Sequence, residues 1–486
     1  MAESASPEIY SSPLAHRFAS REMLENFSEL KKFRTWRRVW VALAEAEHEL
    51  GVKAVTEEQI QELHAYQDDI NLDVAREFET KFRHDVMAHV HAYGKQCPNA
   101  AKIIHLGATS CDITDNADLI IYRDALRTLR GKLVNLIDRL GTFADKYKDL
   151  PTLGWTHFQP AQLTTVGKRA CLWTQDFIID LREIQSRLDA LPLRGIKGAT
   201  GTQASFLELL HDRDKVERLE QLVVKKLGFK EVVAVTGQTY PRKLDALILS
   251  AVCGIAQSAH KFANDIRLLQ NLREVEEPFD AESQIGSSAM AYKRNPMRCE
   301  RITGLARFLI CLEPNAALNA AEQWLERTLD DSSNRRLSMP EAFLTADAIL
   351  HIALNVATGL VVHPSMIKRN AARELPFMVT EHILMRTAAL GVSRQEMHEV
   401  IRKHSIAAAE RIREGAETND LIERLASDPL FEGKGQILRA IIEENAFDLY
   451  TGTAELQVVS FLSGDVARVR SKYAAELDTK AAELRV

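Results

Sequence analysis

The residues best suited to chemistry lie in the stretch 282–301, where Gly286-Ser287-Ser288-Ala289 leads through Lys293-Arg294-Asn295-Pro296 to Arg298 and Arg301. Small residues leave the first half free to lie over a ligand. Asn295-Pro296 reads as an N-cap followed by proline at the first helical position. The four cations then gather where unpaired helix N–H groups already favour an anion, which suits the stretch to carboxylate or phosphate. Taken alone, the same residues also fit a surface loop with a solvated basic face. A second cluster, Thr156-His157-Phe158-Gln159, supplies an imidazole able to move a proton near neutral pH. Thr109-Ser110-Cys111-Asp112 and Thr236-Gly237-Gln238-Thr239 complete the set of uncommon polar groups.

The elements that must position these groups are long helices. Leu119, Tyr122, Leu126, Leu129, Leu133, Leu136, Leu140 and Phe143 recur at steps of three and four, the seam of a bundle helix of roughly 40 Å that Asp115 can cap. A second run (Ala170, Trp173, Phe177, Leu181, Ile184) follows Pro160, and a third (Leu244, Ile255, Ala259, Phe262, Ile266) follows Pro241. Two more follow Pro296 and Pro340, and no alternating strand pattern stands between 116 and 362. An earlier helix, 34–51, ends in glycine. The expected fold is therefore all-α: an elongated central five-helix bundle over 112–362, flanked by an N-terminal helical domain over 1–111 and a C-terminal one over 363–486. Each polar cluster precedes a long helix, so several helix N-termini brought together would form a pocket for a multiply charged anion. Capping explains the hydroxyls of Thr109, Thr156 and Thr239, but it does not require His157 or Gln238.

Bulk properties exclude other classes. With 486 residues, 46% hydrophobic, and a net charge of −6, the chain is not composed like a dedicated nucleic-acid or membrane-surface binder. Its six cysteines form no C-x-x-C pair, which argues against a disulfide framework or zinc site and for a reducing compartment. No apolar run reaches membrane-spanning length and the first residues lack a signal pattern, so a cytoplasmic protein is expected, with residues 1–12 as a disordered tail. His84, His89 and His91 fall at i, i+5, i+7, poor spacing for a shared metal on a helix.

Thr156-His157-Phe158-Gln159 and the run from Gly286 to Asn295 resemble the Thr-His-x-Gln and Gly-Ser-Ser-x-Met-x-x-Lys-x-Asn signatures of the fumarase/aspartase superfamily. Within it, the resemblance is to the adenylosuccinate lyase family. It runs through Arg83-His84-Asp85-Val86-Met87-Ala88, Leu106-Gly107-Ala108-Thr109-Ser110, Lys293-Arg294-Asn295-Pro296 and the run 326–336, from Ser12-Pro13-Leu14 into the C-terminal domain. That resemblance implies a C–N lyase without metal or organic cofactor, acting on small purine nucleotides: β-elimination of fumarate from adenylosuccinate, giving AMP, and from SAICAR, giving AICAR. It implies a homotetramer with a twenty-helix core and active sites each shared by three subunits.

By the same resemblance Ser287 is the base and His157 the acid, while Lys293 and Asn295 hold the succinyl carboxylates. Thr109, Ser110, Thr156 and Gln238 are further contacts, and Arg17, His84, Asp85, Arg301, Arg327, Ser332 and Arg336 surround the nucleotide and its phosphate. Two positions depart from the family pattern: Ala291 stands where proline is usual, and Phe18 where tyrosine is common. Two rival readings are another fumarate-releasing lyase, such as argininosuccinate lyase, and a catalytically silent helical scaffold. The His84–Asp85 pair with Arg327, Ser332 and Arg336 suits a phosphate and weighs against the first; intact Ser287, His157 and Lys293 weigh against the second.

Overall fold

The structure, a computed structural model, describes residues 8–282, 284–389, 391, 393–432, 450–478 and 484. Residues 1–7 of the expected tail lie outside these. An N-terminal group of helices comprises α1 (Arg21–Asn26), α2 (Glu29–Glu49), α3 (Glu57–Ala65), α4 (Leu72–Phe82) and α5 (Asp85–Gln96). The central body holds α6 (Ser110–Lys146), α7 (Val166–Asp189), the short α8 (Ala204–Leu210) and α9 (Arg213–Lys226), then α10 (Lys243–Asn271), α11 (Met297–Ala321) and α12 (Asp330–Gly359). Beyond it come α13 (Pro364–Ala389), α14 (Arg394–Arg413) and α15 (Leu421–Ala426). The fold is all-α, and α6, α7, α10, α11 and α12 are the five long bundle helices expected.

The seam of α6 is buried along its whole length, from Leu119 to Phe143, because residues three and four apart share one helix face. On that face α6 packs against α7 and α12, and α10 packs against α7, α11 and α12. Two of these helices, α10 and α12, are apolar enough by composition to cross a membrane, but 50% and 72% of their apolar windows are buried inside the bundle, which accounts for the hydropathy. The helices α13–α15 form a second core around Val379, Ile383, Met397, Leu421 and Phe431. The segment from Ala454 to Lys472 then returns to the main core through Val458, Val466 and Val469.

Four local expectations are corrected. Helix α6 starts at Ser110, opened by a capping box of Thr109 and Asp112, so Asp115 is not its cap but lies buried inside it. Pro160 belongs to a strand and Pro340 to the interior of α12, so neither opens a helix. Strands do occur: β1 (Pro151–Thr156) pairs antiparallel with β2 (Gln159–Thr165), and β3 (Val275–Glu276) pairs with β4 (Val361–Val362). The hairpin was illegible because its two-residue turn is made by His157 and Phe158, at φ 52° and 55°, and not by the asparagine or glycine that normally announces such a turn.

Glu47 of α2 is fully buried and neither carboxyl oxygen has a hydrogen-bond partner. Burial pushes its pKa up to about 9. Because the folded value lies above the ordinary one, the stability this group leaves in place is complete below about pH 4.5 and is lost progressively as pH rises toward 9. At about 1.36 kcal/mol per pH unit the ceiling at pH 8 is roughly 5 kcal/mol. Glu47→Gln is therefore expected to raise Tm relative to the parent at pH 8 and to change it little at pH 5, as measured by thermal unfolding at both values.

Candidate active site

One end of the bundle is organised by Asp112. Its carboxylate accepts from Arg194, from the backbone N–H of Lys197 at 2.8 Å and Gly198 at 3.1 Å, and from the N–H of Thr109 at 2.8 Å. Arg194 also donates to the carbonyls of Gly198 (2.9 Å) and Gly237 (3.2 Å). Three loops, 109–112, 195–203 and 236–239, are thereby tied into one wall. On it Gln238 donates its backbone N–H to Glu326 O (2.9 Å) and its side-chain amide to Ala199 O (3.1 Å), while Cys111 Sγ donates to its Oε1 at 3.8 Å. A Cβ on Gly237 would lie 2.6 Å from Glu326 O, so only glycine allows these loops to meet.

Arginine–aspartate pairs continue this end. Arg327 bonds Asp331 at 2.8 Å, Asp331 also takes Arg242 Nε at 2.6 Å, and Arg242 reaches Asp115 at 3.1 Å. Burial by itself would raise the Asp115 carboxyl, but Arg242 and Arg335 together hold it below the ordinary value. Arg336 bonds Asp85 at 2.8 Å. Burial pulls Asp85 up as well, and the Val86 N–H and Arg336 outweigh it. His84 caps α5, its ring accepting the Met87 N–H at 3.4 Å. Of the other two histidines, His89 stacks on Phe33 with centroids 3.7 Å apart and His91 packs on Phe82. This end therefore collects His84, Asp85, Thr109, Ser110, Gln238, Arg327, Ser332 and Arg336.

The other end carries the hairpin and the serine loop. His157 and Phe158 are exposed at the hairpin tip beside Thr156, with Phe158 against Trp155 at 5.5 Å between centroids. In the serine loop, Ser287 Oγ accepts the N–H groups of Ala289 (3.4 Å) and Met290 (3.2 Å), while Lys293 stays exposed. Asn295 does not cap α11. Its amide donates to Gly286 O at 2.8 Å and closes the loop on itself, leaving Pro296 as the residue before the helix. The first N–H groups of α11 are already occupied: buried Glu277 accepts from Arg298 N (3.0 Å) and Cys299 N (2.8 Å). The helix N-terminus is thus filled by the chain's own carboxylate, and the exposed positive charge of this segment rests on side chains, Lys293 among them. Arg298 donates to Pro278 O, Arg294 pairs with Glu276 at 3.5 Å, and Arg301 is half-buried in the first turns of α11.

The two groups of residues do not meet within one chain. Gln238 precedes α10 and the serine loop follows it, and 29 helical residues at 1.5 Å each separate them by about 43 Å. Thr109–Ser110 and the hairpin flank α6, whose 37 residues span about 55 Å. Arg17 is exposed on the turn Leu14–Phe18, which packs on α12 and is fastened by Ser20 to Asp347 at 2.7 Å. Phe18 packs against the core, so the missing tyrosine hydroxyl is replaced by apolar burial. The loop 195–203 and Arg194 escaped the sequence reading. Their signal was Gly195, Gly198 and Gly201 at intervals of three, all with φ near +80°.

A long-helix bundle with reactive polar loops at the helix ends defines a fumarase/aspartase-type lyase. Residues 17–310 match a family model described as Lyase, and 376–461 one described as Adenylosuccinate lyase C-terminus. The chain belongs to the adenylosuccinate lyase family. It is 52% identical to the adenylosuccinate lyase of Saccharomyces cerevisiae over 98% of this chain and 99% of that one, and 49% identical to that of Schizosaccharomyces pombe over the same shares. Its fold matches the crystal structure of a fumarate lyase from Mesorhizobium sp. BNC1 at TM-score 0.80 and 24% identity, covering 94% of this chain and 100% of that one.

A Cβ on Gly286 would fall 2.1 Å from Lys293 O, inside the Gly286–Asn295 closure. Gly286→Ala is expected to lower lyase kcat by about tenfold or more through misplacement of Ser287 and Lys293. Gly286 is buried, but the residues that follow it in the loop are mostly exposed and outside the hydrophobic core, so Tm should stay within a few degrees; steady-state kinetics alongside thermal unfolding check both.

Proposed function

We propose that the chain cleaves adenylosuccinate to fumarate and AMP, and SAICAR to fumarate and AICAR. The observation that carries this reading is the full-length likeness to adenylosuccinate lyases, with Ser287, His157 and Lys293 all present. In this reading Ser287 Oγ takes a proton from the succinyl CH₂. The C–H electron pair becomes the fumarate double bond, the C–N bond breaks, and its pair stays on the nitrogen, which His157 protonates. Lys293 and Asn295 face the succinyl carboxylates, Lys293 countering the charge that builds on the one beside the deprotonated carbon. Thr109, Ser110, Thr156 and Gln238 orient the succinyl group, while His84, Asp85, Arg327, Ser332 and Arg336, with Arg17 and Arg301, hold the nucleotide. Guanidinium forks match phosphate oxygens in pairs.

Two backbone N–H groups on Ser287 Oγ favour negative charge there, but an effect of this helix-terminus kind is worth at most about 2 kcal/mol, about 1.5 pKa units. An alkoxide at neutral pH needs far more. In this mechanism Ser287 gives its own proton to solvent before the loop closes, and Lys293 and the closed loop stabilise the alkoxide until it takes the proton from carbon.

Completion of the site by other copies is part of the proposal. The two halves are about 43 Å apart in one chain, and the long helices expose apolar side chains that one chain leaves uncovered: Leu172 (54%) and Ile179 on α7, Leu247 and Leu268 on α10, Phe308 and Leu318 (62%) on α11. A homotetramer covering these faces brings unlike helix ends together. Composition and charge suit such an assembly to the cytoplasm.

An ultraviolet assay of adenylosuccinate loss is the direct test, with argininosuccinate as the control substrate that should not react. Ser287→Ala and His157→Ala are each expected to lose ~10²–10⁴-fold in kcat. If different copies supply the two ends of the site, unfolding and refolding inactive Ser287→Ala and Gln238→Ala variants together restores roughly a quarter of parental activity. No recovery from that mixture would put both ends of the site in one subunit.

A further inference from the structure

We infer that Lys32 is an anion-binding residue of the nucleotide site, directed with Arg336 at the substrate phosphate; this rests on the proposed function. Lys32 lies in the first turn of α2, half-buried, its ammonium 5.3 Å from the centre of the Phe33 ring and 5.0 Å from that of Trp36. Among the described residues it makes no hydrogen bond and no ion pair. Its electrostatic neighbours are Arg336, Asp118, Asp85 and Glu29. Each of those acids already has a cation of its own: Asp85 has Arg336, Asp118 has Arg335, and Glu29 has Arg76. Lys32 is the positive charge left over.

A solvated lysine would carry its head out to water. Here the stem runs over two aromatic rings, and Phe33 stacks on His89, one turn after the Asp85 that holds Arg336, so the ammonium is turned toward that pair; burial and then Arg336 both disfavour its charge. Adjacent Lys31, by contrast, closes an ordinary ion pair with Asp124 at 2.9 Å. Arg336 is exposed and spends its charge on Asp85, whereas Lys32 is a half-buried ammonium without an ion pair of its own, a costly arrangement unless an anion joins it. Ser332 lies one turn before Arg336 on α12, so a hydroxyl and a guanidinium share one helix face, the face on which Asp85 holds Arg336. Guanidinium, ammonium and hydroxyl together suit the oxygens of a phosphate dianion.

The experiment is calorimetric binding of AMP and of adenosine to the parent protein, Lys32→Met, Lys32→Gln and Lys32→Arg, with thermal unfolding and oligomer mass recorded for each. Met and Gln are expected to weaken AMP at least tenfold and leave adenosine unchanged, with Arg recovering most of the loss. Parental AMP affinity in both neutral variants overturns the inference. So does an equal loss for AMP and adenosine, which marks a structural lysine, and so does a parent protein that binds no AMP. A parent that binds AMP but leaves adenylosuccinate intact refutes the proposed function without touching the AMP comparison.

Discussion

The structure depends on a set of buried arginine–aspartate bonds at one end of the bundle. Asp112, Asp115, Asp245 and Asp331 are all buried, and each is met by Arg194, Arg242 or Arg335. Removing such charges from water costs several kcal/mol apiece, and pairing with additional hydrogen bonds is what makes the arrangement tolerable. Asp112 alone accepts from one side chain and three backbone N–H groups. These bonds add less to net stability than packed apolar groups would. What they supply is direction: an apolar core lets a loop slide, whereas a carboxylate shared by two loops, with its arginine holding a third, admits one arrangement. Thr109, Gln238 and the 195–203 loop are placed by that network.

Rod length is the second constraint. A helix long enough to bury a continuous apolar seam carries the loops at its two ends about 43–55 Å apart. The polar loops before and after α10 therefore cannot serve one ligand inside one chain. Packing copies side by side in opposite directions removes the difficulty, because the end of one rod then lies beside the start of another. The exposed apolar residues on α7, α10 and α11 sit on the rods themselves, so the surface that would join copies is continuous with the elements that separate the loops.

What was legible in the sequence follows from this physics. The three-and-four spacing of the α6 seam gave a buried helix, since long periodic runs report directly which face is inside. The polar loops stood out because their residue types do no packing. The failures were local and had definite causes. Proline was read as a helix opener, yet Pro160 lies in β2 and Pro340 inside α12, where tertiary contacts override the preference. Asn295 was read as a cap, but its amide found Gly286 O, and Glu277, twenty residues before Met297 in the chain, filled the helix N-terminus instead. A contact across that separation leaves no local pattern to read. The hairpin carrying His157 was missed because its turn holds non-glycine residues at positive φ, a conformation that only the surrounding pairing can impose.

The two ends of the chain differ in how their charges are held, and the difference fits the division of labour proposed for them. At the nucleotide end Arg327 and Arg336 are already bonded to Asp331 and Asp85, so their guanidiniums are aimed before any ligand arrives and little side-chain freedom remains to be lost on binding. At the other end His157 and Lys293 are exposed on a hairpin tip and a loop, with no acid bonded to either among the described residues. Groups that must transfer a proton or counter a charge present only in the transition state are poorly served by a strong ground-state partner, which would stabilise the resting form as well. In the proposed assembly, a recognition end held by ion pairs and an unpaired chemical end from another copy would let the nucleotide anchor before the serine loop meets the succinyl group.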